Sequence, residues 1–147
     1  MKYFDPRAIL LAGHAQHIVL VHFPIALLIT SLAFDIWARY GGHKMLALAG
    51  KFNLYAAAWT APLAAATGLL AWRWQVDGAR LKGALLLHLC GGLLVAVLCC
   101  ALAWFRAQRG DPRLPSSYLA ATFAAVVVVA LTAHLGGIVS GVVTPGR

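Results

Sequence analysis

The chain has 147 residues, of which 62% are apolar and 11% charged, and its mean hydropathy is +0.81. A soluble domain is roughly 45–50% apolar and about 25% charged, and a chain this short has too small an interior to hide the excess apolar surface from water. The composition therefore excludes a soluble globular enzyme and a disordered chain, and it places the protein in a lipid bilayer. The formal net charge of +8 does not indicate a nucleic-acid partner, because the cations flank apolar segments, where they meet lipid headgroups.

Four apolar stretches are long enough to cross a bilayer, whose hydrocarbon core is about 30 Å thick and needs roughly 20 residues per helix. They run over about 16–38, 46–72, 81–105 and 118–141, and the segments between them contain the Gly, Pro or charged residues that end helices. Short alternating strands of the kind that form a membrane barrel are absent from the sequence. The sequence therefore predicts an all-α integral membrane four-helix bundle, a single transmembrane domain over residues 1–147.

The basic residues do not indicate which way the bundle faces. We call proximal the membrane face at which the first span begins, and distal the opposite face. Six basic residues are predicted on each, so the positive-inside rule favours neither orientation. The proximal set is Lys2, Arg7, Arg73, Arg80, Lys82 and Arg147, and the distal set is Arg39, Lys44, Lys51, Arg106, Arg109 and Arg113.

Three of the six histidines fall at one predicted depth on three different spans. His22 lies about six residues inside the first span, His88 about seven inside the third, and His134 about seven before the end of the fourth. At a rise of 1.5 Å per residue, all three lie roughly 9–11 Å below the proximal face, and His17 lies about one turn shallower. Ionisable side chains within spans are rare and are functional candidates. The competing interpretation is that they form hydrogen bonds between helices.

Haem b is the cofactor that these histidines suit best, because haem iron takes axial imidazoles and four-helix bundles build cofactor sites from facing side chains. We predict His22, His88 and His134 as the metal ligands. His17 is the spare that would complete a second pair, so one or two haems are expected. Copper or zinc could also use three histidines, but the sequence contains no glutamate to complete such a cage.

Glycines and cations near the candidate ligands complete the predicted site. Gly92 and Gly137 each lie one turn from a candidate ligand, where they would leave room for a flat macrocycle. Close helix packing through glycine is the alternative explanation. Arg80 and Lys82 lie at the proximal surface, where they would bind the haem propionates.

Several motifs resemble a known family. The first span contains HIVLVHFPIALL (residues 17–28), the second carries Thr67-Gly68-Leu69, and the last carries His134-Leu135-Gly136-Gly137 followed by Gly141. With these motifs the chain resembles, over roughly residues 14–145, the small bacterial membrane proteins grouped as domain of unknown function 2231. The resemblance implies four spans in which the HFP and HLGG positions belong together. Some relatives are joined to or encoded near c-type cytochromes, which is consistent with redox work.

The sequence leaves three functional hypotheses open. The first is a b-type haem-binding subunit of a larger redox complex in the bacterial inner membrane, which passes electrons between the quinone pool and a redox partner such as a c-type cytochrome. The second is a structural or assembly subunit of a larger membrane complex, with no cofactor of its own. The third is a small proton-coupled carrier that uses Asp35, an acid inside the first span that is either neutral or paired, with Arg39 one turn later as the candidate partner. The sequence shows no nucleophile–base pair or carboxylate pair, so a non-catalytic subunit is favoured over an enzyme.

Overall fold

The structure, a computed structural model, describes residues 13–75, 80–109 and 114–141. These segments form four helices: α1 (Gly13–Gly41), α2 (Lys44–Gln75), α3 (Gly83–Ala107) and α4 (Ser116–Val139). Each helix is long and apolar enough to cross a membrane. The predicted all-α membrane four-helix bundle is therefore confirmed, and every predicted span boundary lies within three residues of the observed one.

The helices form a ring in which each contacts its neighbours along the chain, and α1 closes the ring against α4. The α1–α2 connection is a tight turn at Gly42 and His43, and Gly42 takes the left-handed backbone conformation (φ 70°) that ends many helices. The core of buried apolar side chains lies in the middle and distal parts of the bundle and includes Leu28, Leu54, Ala57, Cys99 and Ala125. Small residues on α2 allow the helices to approach closely there, as is common in membrane bundles.

A buried ion pair joins the helices near the distal face. Asp35 on α1 is 1% exposed and Arg106 on α3 is 5% exposed. The guanidinium of Arg106 donates one hydrogen bond to the Asp35 carboxylate and another to the backbone carbonyl of Ala47 on α2, at 2.6 Å. The same guanidinium lies 5.8 Å from the ring centre of Tyr118 on α4. One arginine thus connects all four helices.

The predicted partner of Asp35 was wrong, and so was the predicted surface position of Arg106. Arg39 instead donates hydrogen bonds to the carbonyl of Leu114 and, at 3.0 Å, to the hydroxyl of Ser116, at the start of α4. Asp35 faces the interior of the bundle, where a charge needs a partner that is itself buried, and Arg106 is the cation that reaches it there.

Gly50 on α2 makes room for the ion pair. A Cβ atom at this position would lie 2.4 Å from Oδ1 of Asp35 and 3.1 Å from the backbone oxygen of Ser31. The Ser31 hydroxyl also donates a 2.8 Å hydrogen bond to the Gly50 carbonyl, which holds α1 and α2 at this close approach. The absence of a side chain at Gly50 therefore determines how closely the two helices pack.

We expect Gly50→Ala to lower the free energy of unfolding by about 1–3 kcal/mol, because the added methyl forces the carboxylate of Asp35 or the α1 backbone to move. Gly92→Ala on α3 is the matched control, since nothing lies within 4 Å of its added Cβ. There the higher helix propensity of alanine, worth up to about 1 kcal/mol, should leave stability unchanged or raised. Unfolding in mixed detergent micelles measures both variants, and equal stabilities would contradict the role given to Gly50.

Candidate functional site

A cavity of about 730 Å³ lies between the four helices in the proximal half of the bundle. Most of its wall is apolar, and small residues on α2, such as Ala61, Ala64 and Gly68, leave the space for it. The polar or partly polar side chains in the wall are His17, His22, Trp72, His88, Thr132 and Ser140. A large, mostly apolar cavity with a few convergent polar groups is typical of a cofactor or ligand site.

The side chain of His17 on α1 reaches across to α2. Its Nδ1 atom lies 3.1 Å from the carbonyl oxygen of Ala64 and 3.2 Å from the hydroxyl oxygen of Thr67. Because a carbonyl oxygen only accepts, the hydrogen must be on Nδ1 of His17. Gly68 leaves the space for the ring, since a Cβ there would lie 2.9 Å from Cε1 of His17.

The side chain of His88 on α3 reaches across to α4 in a similar way. Its Nδ1 atom donates a 2.9 Å hydrogen bond to the carbonyl oxygen of Thr132. A Cβ atom at Gly136, one turn along α4, would lie 2.9 Å from Cε1 of the His88 ring. At Gly91 a Cβ would lie 2.4 Å from the hydroxyl of Thr132, so α3 and α4 approach closely at the level of the imidazole.

The two rings lie side by side across the bundle. Their centres are 6.2 Å apart and their planes make an angle of 78°. Each ring is held through Nδ1 by a carbonyl on a neighbouring helix, and in the neutral form this tautomer places the lone pair on Nε2. Metal-binding histidines in proteins are oriented by the same kind of hydrogen bond on the second ring nitrogen. His17 and His88 therefore form a pair of imidazoles in this cavity that is already oriented to bind a ligand between the helices.

The structure places the other two predicted ligands differently. His22 lines the cavity, but its Nδ1 donates a 2.6 Å hydrogen bond to the carbonyl of Ile18 on its own helix. His134 is exposed on α4 and does not line the cavity. His17, expected one turn shallower than His88, lies at its level. It is four residues from Gly13, where the described part of α1 begins, and His88 is five residues from the start of α3.

The glycines and cations that the sequence predicts beside the haem lie around the same cavity. Gly92 and Gly137 both line it, although the glycines in contact with the imidazoles are Gly68 and Gly136. Arg80 and Lys82 are exposed and flank Leu81, which lines the proximal part of the cavity wall. Two cations are thus available where the cavity approaches the proximal face.

Sequence reasoning missed the two threonines that hold the histidines. Thr67 accepts from His17 through its hydroxyl oxygen, and Thr132 accepts from His88 through its backbone carbonyl. The motifs Thr67-Gly68-Leu69 and His134-Leu135-Gly136-Gly137 contain the glycines in question, but a carbonyl acceptor leaves no signal in the residue type. Among the residues that the structure describes, no group of three or more His, Cys, Asp or Glu side chains could hold a metal ion.

Comparison with known families identifies the chain. The family described as Predicted membrane protein (DUF2231) matches residues 13–143. No curated protein and no solved structure matches the chain. The resemblance seen in the sequence motifs is thus confirmed, and the chain belongs to this family of membrane proteins.

Proposed function

We propose that the protein is a b-type haem-binding membrane subunit whose proximal cavity would hold one haem, with His17 and His88 as the residues that would bind its iron. The haem would supply one-electron redox chemistry. The observation that carries the proposal is the arrangement of the two imidazoles, whose ring centres are 6.2 Å apart. Two imidazoles can share one metal ion only when their rings lie about this close together, because each nitrogen–metal bond is about 2.0–2.1 Å long.

The surroundings of the pair also suit this group. The cavity of about 730 Å³ falls within the range of roughly 300–1,000 Å³ that cofactor and ligand sites occupy. Its apolar wall matches the macrocycle, and the exposed cations Arg80 and Lys82 can pair with two propionates at the proximal end. A haem needs two protein ligands, so it does not require the cluster of three or more that a zinc or copper cage would use.

The proposal includes the setting in which such a subunit would work. We place it in the bacterial inner membrane as part of a larger redox complex, where it passes electrons between the quinone pool and a partner such as a c-type cytochrome. The four membrane-crossing helices and the proximal position of the cavity support this setting, because a haem there lies close to one membrane surface, where a soluble partner can approach.

The second candidate function, a structural or assembly subunit without a cofactor, is favoured by the same hydrogen bonds. His17 bonds to Ala64 and Thr67 on α2, and His88 bonds to Thr132 on α4, so both already join neighbouring helices. Polar side chains that bond across helices stabilise membrane bundles by roughly 0.6–2 kcal/mol. Under this alternative the cavity holds no pigment, and loss of either histidine alters only stability and complex yield.

The deciding experiment is the dithionite-reduced minus oxidised spectrum of the full-length protein, purified from haem-sufficient cells, together with its haem content. We expect a Soret and an α-band shift and about one haem per chain. His17→Ala and His88→Ala should each lower haem affinity by at least about 10–100-fold, because each removes one axial ligand. His134→Ala, on an exposed histidine outside the cavity, is the matched control and should keep its haem.

Added imidazole separates ligand loss from misfolding. If the alanine variants fold, free imidazole should enter the space left by the ring and restore the spectrum. A wild-type protein without a Soret band would overturn the proposal, and so would a His134→Ala variant that loses its haem while His17→Ala retains it.

A further inference from the structure

His22 is a polar side chain in the cavity wall that the proposed haem site does not use. It is exposed on the outside of the bundle and also lines the cavity, so it lies where the cavity meets the lipid. Its neighbours in the wall on α1, Ile18, Val21 and Ile25, are apolar. A molecule that approached His22 from the membrane would therefore meet an apolar surface with one imidazole in it.

The tautomer of His22 is fixed by its own helix. Nδ1 lies 2.6 Å from the carbonyl oxygen of Ile18 and must donate to it. The lone pair of the neutral ring is then on Nε2, and within the described residues no second group forms a hydrogen bond with His22. His22 thus presents a hydrogen-bond acceptor, the Nε2 lone pair, toward the cavity and the lipid.

The hydroxyl groups of the cavity wall do not offer the same chemistry. The Thr132 hydroxyl donates a 2.8 Å hydrogen bond to the carbonyl of Val128, and the Ser140 hydroxyl donates a 3.1 Å hydrogen bond to the carbonyl of Gly137. Both are held by their own helix, and neither is a base at physiological pH. A ligand that brings a hydroxyl proton on an apolar ring is therefore best received at Nε2 of His22.

We propose that His22 binds the ring of an isoprenoid quinol by accepting a hydrogen bond from one of its hydroxyl groups, and that it takes up this proton when the quinol is oxidised. The apolar wall of the cavity receives the ring, and the isoprenoid tail stays in the lipid. This inference rests on the proposed function, because the oxidant would be the ferric haem that His17 and His88 would hold.

Oxidation of one quinol to a quinone releases two electrons and two protons. The ring would give up these electrons one at a time to a haem held by His17 and His88, and the redox partner would take each electron away before the next transfer. One O–H bond breaks as an N–H bond forms on Nε2 of His22, which becomes an imidazolium and later releases its proton at the proximal face. The second hydroxyl proton passes to water at the same face.

The test compares His22→Phe with His134→Phe in the full-length, haem-loaded protein. Phenylalanine keeps an aromatic ring and removes the acceptor, and His134 is the matched exposed histidine outside the cavity. We expect His22→Phe to keep the wild-type haem spectrum and its reduction by dithionite. Its reduction by decylubiquinol should slow by about 10²–10⁴-fold, the usual contribution of a positioned base. His134→Phe should match the wild type in every measurement.

A binding measurement distinguishes failure of this inference from failure of the haem proposal. The part of the tryptophan quenching by decylubiquinone that Trp72→Phe removes reports the occupied cavity, because Trp72 lies in its wall, and it can be read without haem. Weaker binding of the reduced quinol to His22→Phe, detected by its competition with decylubiquinone, would support the His22 site even if the wild type lacks haem. Haem reduction by decylubiquinol at the wild-type rate in His22→Phe would overturn the inference and leave the haem proposal standing.

Discussion

Replacing Arg106 with methionine should lower the free energy of unfolding by about 3–5 kcal/mol, because the substitution leaves a buried carboxylate without its cation. Asp35 is 1% exposed, and its Oδ1 atom has no hydrogen-bond partner among the described residues, so the interaction through Oδ2 is what compensates its burial. In lipid the cost of an uncompensated charge is high. Arg106→Met also removes the bond to Ala47, which disconnects α3 from the start of α2.

The double variant Asp35→Leu/Arg106→Met measures the interaction between the two charges apart from their contacts with other residues. Removing both charges should cost clearly less than the sum of the two single substitutions, because neither partner is then left buried alone. Arg109→Met is the matched control at the same end of α3. Arg109 is exposed and lies 4.5 Å from the ring centre of Phe105, so its loss should cost only about 0.5–1 kcal/mol. Unfolding in mixed micelles measures all four variants, and additive costs would show that Asp35 and Arg106 are not coupled.

The four spans were predictable because membrane helices are selected for length and apolarity, and both can be read directly from a sequence. Each predicted boundary falls within three residues of the observed one. The residues that deviate are at the ends, where α1 and α2 continue for up to three residues past the predicted spans into positions such as Tyr40 and Arg73. Tyrosine and arginine are common in the headgroup region, so a prediction from hydropathy alone ends these helices too early.

The direction in which each histidine points was not predictable in the same way. In a soluble helix the apolar stripe identifies the inner face, but a membrane helix is apolar on every side. The predicted depth of His134, in the proximal half of the bundle, is therefore correct. Its position around the axis of α4 leaves its side chain exposed. His17 and His88 approach each other because Gly68 and Gly136, each on a different helix from the histidine it contacts, leave space for their rings. A glycine so far away in the sequence is no local signal, and His134, which has Gly136 and Gly137 beside it, is exposed.

The distal ion pair shows a different limit of sequence reasoning. Arg106 lies near the end of its span, where an arginine ordinarily reaches the headgroups. Its burial becomes predictable only once Asp35, at the distal end of α1, is recognised as an interior charge that needs a cation at the same level on another helix. The local pairing with Arg39 satisfied the spacing rule for one helix, but it could not account for the interior direction of Asp35.

Gly136 gives the sharpest test of how the imidazole pair is held. A Cβ atom there would lie 2.9 Å from Cε1 of His88, so Gly136→Val should push the ring away from α4 and break its 2.9 Å hydrogen bond to the carbonyl of Thr132. Loss of such an orienting bond typically lowers metal affinity by about 10–100-fold. We expect haem content at limiting haem to fall accordingly. The unfolding free energy should also decrease by about 1–3 kcal/mol from overpacking.

Two further variants locate the effect at the His88 ring. Gly92→Ala lies in the wall of the same cavity, and its added Cβ meets no protein atom within 4 Å, so it should leave the stability near the wild-type value. In Gly136→Val/His88→Ala the valine no longer has a ring to displace, so its cost in stability should be smaller than in the wild-type background. If Gly136→Val bound haem as tightly as the wild type, the position of the His88 ring against α4 would not matter for the cofactor. The proposed pairing of His88 with His17 would then lose its structural basis, because it depends on that ring being held in place from α4.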